Sequence, residues 1–345
     1  MNEWIDELSD LTAAGDSAVL VTISGIRGST PRETGAKMIV TARETIGTIG
    51  GGALEHQCTH IAAGLLGEAA KPETRRFPLG PSLGQCCGGV VDVLFEPVGS
   101  GLPEWLRDLR ALHGQREPSV LVTATDSGTK FVVTGDDVFG IDAGSCDPEI
   151  LARARGILHD GEAGVNRATF YEPVRASEFN IAVFGAGHVG AAVVNVLSGL
   201  DCNIRWIDSR PGIFRAVPRN AKAIETSEPA LEVAAMPPSS FYLVMTHSHP
   251  LDFDICDRVL RRGDAAYCGL IGSLTKRRRF EKRFRQQGLS GSAIDQLVCP
   301  IGVAGISGKK PAEIAIAAAA EILRAHEKSL TQETALPGNV QPIRN

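Results

Sequence analysis

Apolar residues fall in short β-branched runs through the first half of the chain and then settle into a regular strand–helix rhythm. Residues 8–14 follow a short amphipathic helix pattern, and Ala18-Val19-Leu20-Val21-Thr22-Ile23 reads as a strand from its β-branched content. Ser29-Thr30-Pro31-Arg32 breaks that strand, residues 37–40 and 44–47 read as a hairpin, and Gly50-Gly51-Gly52 opens a helix to about residue 66. Further strands are expected at 90–95, 120–123, 130–133 and 168–171, with a helix over 148–158. Residues 173–178, introduced by Pro173, read as a linker.

Beyond the linker, strands are expected at 180–184, 203–207, 221–224, 241–245 and 265–270, with a helix over 189–197. Such alternation predicts a parallel, doubly wound sheet. A last helix, with Pro311 at its first position, runs to about residue 324. The predicted class is therefore α/β: a mixed α/β domain over 1–172, a Rossmann-like doubly wound domain over 179–330, and a disordered tail over 331–345. No internal repeat is expected.

Composition narrows the function classes. The 345 residues carry 43% hydrophobic and 22% charged positions, ordinary for a globular protein with room for about two domains. A net charge of −5 argues against general nucleic-acid binding, which depends on excess positive charge. No run approaches the roughly 20 apolar residues of a membrane span, and the acidic start is unlike a secretory signal. Eight cysteines without a regular framework point to reduced thiols and a cytoplasmic setting.

Candidate chemistry in the second half centres on Gly185-Ala186-Gly187-His188-Val189-Gly190, between a predicted strand and a predicted helix. Gly185, Gly187 and Gly190 permit a tight turn whose amides can bind a phosphate, and Asp208 stands where an acid would hold a ribose 2′-hydroxyl. Arg210 leaves open a more anionic ligand than NAD. Thr246-His247-Ser248-His249 follows a strand, where ligand-binding loops of open α/β sheets lie, with Thr246 and His249 as candidate caps. The His-x-His pair lacks a third zinc ligand at a recognisable spacing, so a loop that hydrogen-bonds a polar ligand is expected instead. The basic run 275–285 reads as a solvated helix face or a docking patch, and the glycines of 299–310 with Lys309 would suit an anion.

In the first half the most telling feature is Gly84-Gln85-Cys86-Cys87-Gly88-Gly89. A disulfide between adjacent cysteines is strained, whereas thiolates bind soft metals and attack electrophiles. Taken with Gly28-Ser29-Thr30-Pro31-Arg32, Gly35-Ala36-Lys37-Met38 and Gly47-Thr48-Ile49-Gly50-Gly51-Gly52-Ala53-Leu54-Glu55, this segment resembles the XdhC/CoxI family. Phe184 to Gly190, Thr246 to His249, Gly269-Leu270-Ile271-Gly272-Ser273 and the 299–311 loop are similar to the Rossmann domain of that family.

The resemblance implies an accessory protein of xanthine dehydrogenase. Such a protein binds the molybdenum cofactor, holds it while a cysteine desulfurase installs its sulfido ligand, and passes it to the molybdenum-binding subunit. Chemically, Cys86 or Cys87 can ligate molybdenum or accept sulfur, with Cys86 preferred as the metal ligand. Gly50, Gly51, Gly52, Gly88 and Gly89 let backbone amides approach an anion or a flat ring, and Arg32 can pair with a phosphate. Glu55 either accepts pterin N–H groups or only caps its helix. Gly185, Gly187, His188, Gly190, Asp208, His247 and His249 complete the cofactor-binding set.

A holder of this kind needs affinity and release, so multiple-turnover catalysis is not expected. A homodimer is the default expectation. The alternative is an NAD(P)-dependent oxidoreductase, with His188, His247 or His249 as acid–base residue. A third reading is a thiol-based sulfur carrier or redox sensor.

Overall fold

The computed structural model describes residues 2–67, 71–80 and 88–334. Two units follow one another along the chain, Met1–Ala176 and Ser177–Asn345.

The first unit begins with α1 (Glu3–Ala13), β1 (Ala18–Arg27), β2 (Lys37–Val40), β3 (Thr45–Gly47), α2 (Gly52–Leu65), β4 (Glu73–Pro78) and β5 (Val90–Val98). It continues with α3 (Glu104–Gly114), β6 (Ser119–Ala124), β7 (Lys130–Val133), β8 (Val138–Phe139), α4 (Pro148–Gly156), β9 (Gly164–Asn166) and β10 (Thr169–Val174). The strands form two antiparallel five-stranded sheets, ordered β3-β2-β1-β5-β4 and β8-β7-β6-β10-β9. Alternation along β1 sorts its side chains. Val19, Val21 and Ile23 pack beneath Leu54, Cys58 and Ala62 of α2. Ala18 and Leu20 instead join a central core with Ile5 and Leu8 of α1, Leu106 and Leu109 of α3, and Leu121 of the second sheet.

The two sheets are two copies of one module, which overturns the expectation of no internal repeat. Both run helix, three-strand meander, helix, two strands, and both have the same strand order. Val19-Leu20-Val21-Thr22 of β1 matches Val120-Leu121-Val122-Thr123 of β6, and Glu96-Pro97-Val98 of β5 matches Glu172-Pro173-Val174 of β10. Registers match as well: Thr22 lies opposite Lys37 as Thr123 lies opposite Lys130, and Leu20 opposite Glu96 as Leu121 opposite Glu172.

The copies meet reciprocally. Lys37 of the first pairs with Glu172 of the second at 2.9 Å, and Lys130 of the second with Glu96 of the first at 3.0 Å, all four side chains at least nine-tenths buried. Each ammonium also lies over the tryptophan of its own copy, Lys37 over Trp4 at 5.1 Å and Lys130 over Trp105 at 4.4 Å. Burial pushes the Lys37 ammonium down from its ordinary range, and the Glu172 carboxylate offsets part of that shift.

Several boundaries differ from the sequence reading. α1 starts at Glu3 because Ile5 already belongs to its buried face. β4 and α3 were missed. β4 is short and mostly exposed, so it carries no apolar run. α3 buries only Leu106 and Leu109. Pro173 ends no element: it pairs in β10 opposite Val120, so the expected linker from 173 starts too early.

The second unit contains β11 (Asn180–Phe184), α5 (His188–Leu197), β12 (Asn203–Asp208), β13 (Ala221–Glu225), β14 (Phe241–Val244), α6 (His249–Arg262), β15 (Tyr267–Leu270), α7 (Leu274–Gln286), α8 (Gly291–Asp295), β16 (Leu297–Val298) and α9 (Pro311–Thr334). All six strands are parallel, in the order β13-β12-β11-β14-β15-β16. This is the doubly wound order in which the chain reverses direction between the first and fourth strands. α9 reaches Thr334, so residues 331–334, expected to be disordered, are helical.

Candidate functional site

In the first unit, three separate sequence motifs converge. A side chain at Gly89 would collide with the carbonyl oxygens of Ser29 and Arg27, and one at Gly28 would lie 3.2 Å from the Gly89 Cα. At Gly50, φ is 121° and a Cβ would meet Pro31 at 2.7 Å. Only glycine admits such approaches. The segments around 28–32, 50–52 and 88–89 therefore pack on one another, while a side chain at Gly88 would meet nothing within 4 Å among the described residues. Cys86 and Cys87, with Gly84 and Gln85, lie outside the described residues; Gly88 is the residue that follows Cys87.

Glu55 is the anchor of the glycine turn. Its Oε2 accepts from the Thr48 hydroxyl and, at 3.0 Å each, from the Ile49 and Gly51 amides. Burial alone would raise its pKa, but the Thr48 hydroxyl and the turn's amides outweigh burial and hold it below the ordinary range. Of the amides expected to approach a ligand, that of Gly51 is thus taken up by Glu55, and that of Gly50 by the Thr48 hydroxyl at 3.1 Å. Arg32 points its fork at its neighbour Glu33, at 2.9 and 3.2 Å, an exposed pair of little stabilising value.

In the second unit, the glycine turn after β11 abuts the loop after β14. A side chain at Gly185, whose φ is 118°, would collide with the Met245 carbonyl, and one at Gly190 with the Gly185 carbonyl. This brings both loops to the carboxyl end of the sheet, where the strand order reverses. His188, His247 and His249 are exposed there.

Asp208 is buried and turned inward. Its oxygens accept from the Ala186 amide at 2.6 Å, the Arg210 amide at 2.9 Å, and the Arg210 Nε and Nη2 at 3.0 and 2.8 Å. Burial works to raise its pKa, but the Arg210 guanidinium and the two amides prevail and lower it to about 2.

The cap of α6 is Ser248, whose hydroxyl accepts from the Leu251 amide, rather than Thr246 or His249. Thr246 instead donates to Asp252 Oδ1 at 2.7 Å, and the other Asp252 oxygen accepts from Lys276 at 2.6 Å. Lys276, part of the basic run, therefore faces inward and ties the loop after β14 to α7. At the start of α9, Glu313 accepts from the Lys310 amide, the place where the sequence suggested an anion. Among the described residues, no group of three His, Cys, Asp or Glu side chains could hold a metal.

The profile of the XdhC and CoxI family matches residues 11–78, and that of the XdhC Rossmann domain matches residues 181–322. The chain belongs to the XdhC and CoxI family. A curated relative, the uncharacterized protein YqeB of Escherichia coli (strain K12), is 30% identical over 149 residues, 42% of this chain. The chain spans 27% of the length of that relative. A crystal structure described as a xanthine dehydrogenase from Bacillus halodurans shares the fold, with a TM-score of 0.73 and 24% identity over 96% of this chain and 98% of that one. For this XdhC/CoxI member, sequence reasoning missed Lys37, Lys276 and Arg210's partnership with Asp208. Lys37 carried a usable signal, being a charge at the head of an otherwise apolar strand.

Proposed function

We propose that this chain is an accessory protein of xanthine dehydrogenase that binds the molybdenum cofactor, holds it during sulfuration by a cysteine desulfurase, and delivers it to the molybdenum-binding subunit. The observation that carries the reading is the convergence of the 28–32, 50–52 and 88–89 segments, the last of which directly follows the doubled cysteine in sequence. The donor set suits the cofactor. Cys86 and Cys87 supply soft sulfur for a metal. Gly88 leaves room where a side chain would stand, and Arg32 offers a cation that a dianionic phosphate can draw from its exposed pairing with Glu33. When bound, the cofactor supplies a molybdenum centre whose terminal ligand is exchanged for sulfur. The chain's own part is to orient and shield. Glu55 keeps the glycine turn closed, and Gly89 packs closely against the 27–29 backbone. We place this role in the cytoplasm, in a homodimer.

The test is the stoichiometry of pterin and molybdenum in protein purified from a molybdenum-replete host. Wild type is expected to carry near-equimolar pterin, and Cys86→Ala to lose it. Absence of pterin from both, with tight nicotinamide binding, would replace this reading by the oxidoreductase.

A further inference from the structure

Between α5 and the segment that follows β12 lies an open cleft of about 810 Å³. Gly187 and His188 form its rim at the start of α5, and Arg210 and Arg215 line it from the other side. Among the described residues no carboxylate lines this cleft. Arg210 Nη2 comes within 3.9 Å of the point where a Gly187 side chain would begin, so the guanidinium stands over the glycine turn.

Dinucleotide folds that bind a ribose diol present an acid with free oxygens at the end of the second strand. Asp208 occupies that position, but a carboxylate accepts about four hydrogen bonds, and Asp208 already takes four N–H groups, three of them from Arg210. It has nothing left for a diol. Arg210 gives two of its side-chain N–H groups to Asp208, and a guanidinium has five.

We propose that this cleft is a phosphate-monoester site, in which Arg210, held by Asp208 and assisted by Arg215 and the amides opening α5, receives a dianionic phosphate. Asp208 is a positioning residue for Arg210 and not a ribose ligand. The cleft's charge favours the dianion: Arg215 and the N–H groups that Arg210 does not give to Asp208 serve it, and no carboxylate among the described residues lines it to hold a diol. The site lies wholly within the second unit and does not depend on the pterin reading of the first. Phosphate monoesters occur both as the 2′-phosphate of a dinucleotide and as the terminal phosphate of a ring cofactor, and two ligand pairs separate these sources.

The experiment is calorimetric titration of the full chain with NADPH against NADH, and with riboflavin 5′-phosphate against riboflavin. In one pair the phosphorylated member is expected to bind at least about tenfold more tightly. Preference for NADPH identifies a 2′-phosphate, and preference for the phosphorylated flavin a terminal one. Arg210→Ala is expected to abolish the preference and Asp208→Asn to reduce it. Arg215→Ala, which leaves the four hydrogen bonds of Asp208 in place, is expected to reduce it with an unchanged Tm. Equal affinity within both pairs, no binding in either, or a preference that survives Arg210→Ala overturns the proposal.

Discussion

Asp208 shows how a residue picked out by position can have its role changed by its surroundings. Its pKa of about 2 lies below the ordinary 3.8, so the folded state binds fewer protons than the unfolded one in that interval. Its contribution, on the order of 2 kcal/mol, is fully present above about pH 4 and is lost as pH falls through the folded value. Asp208→Asn is therefore expected to destabilise the second unit at neutral pH and to flatten its loss of stability between about pH 4 and 2. Thermal unfolding across that range measures both effects.

Arg116 is the complementary case. It ends α3 with φ 62°, where α1 ends with Gly15 at φ 92° and makes the same backbone hydrogen bonds. A left-handed conformation costs a side-chain-bearing residue about 1–2 kcal/mol. Arg116→Gly is expected to stabilise the first unit by about 1 kcal/mol, read as a rise in Tm. Asp208 could be located from the strand–turn–helix–strand pattern, but its partners could not, because the side chain's direction depends on packing around Ala186. Arg116 gave no local sign, since only its φ sets it apart.

At the scale of elements, the glycine motifs separate into those that pack and those that leave space. Gly89→Ala drives a methyl into the Ser29 and Arg27 carbonyls, whereas that of Gly88→Ala meets nothing within 4 Å among the described residues. The first is expected to destabilise the unit by about 1–3 kcal/mol and the second by little, as urea unfolding of the two variants will show. The central parallel strands β11, β14 and β15 were legible because each is a nearly continuous apolar run, as burial on both faces requires. β4 was not, because only Phe77 of its residues is buried and it depends on β5 for its pairing. The basic run of α7 reads in sequence as a solvated face or a docking patch, yet Lys276 turns inward because buried Asp252 requires a counter-charge.

At the scale of the molecule, the first unit is a duplicated module whose copies are joined by crossed ion pairs. Breaking one buried pair, with Lys37→Glu or Glu172→Lys, is expected to cost about 3–5 kcal/mol, and the Lys37→Glu/Glu172→Lys double variant to recover much of it. Combining Lys37→Glu with Glu96→Lys should not recover stability, because it sets Glu against Glu172 and Lys against Lys130. Thermal unfolding of the four variants tests the pairing across the copies. The repeat escaped a sequence reading because its loops differ in length. Residues 28–36 are replaced by a tight connection before β7, and the cysteine-bearing segment between β4 and β5 by a turn between β9 and β10. Equivalent residues therefore keep no constant spacing, and the shared words are only three or four residues long.

What the sequence determined by itself was local and covalent: the strand–helix alternation, the glycines at turns, the doubled cysteine, and the motif combination that marks the family. These depend on backbone permissiveness and on burial periodicity, both readable along the chain. Only the tertiary structure decided which charges meet. Glu55 closes its own turn, Asp208 holds Arg210, and Lys37 finds Glu172 on the other sheet. Such pairings follow from desolvation, which obliges a buried charge to find a partner without fixing how far away in the chain that partner lies.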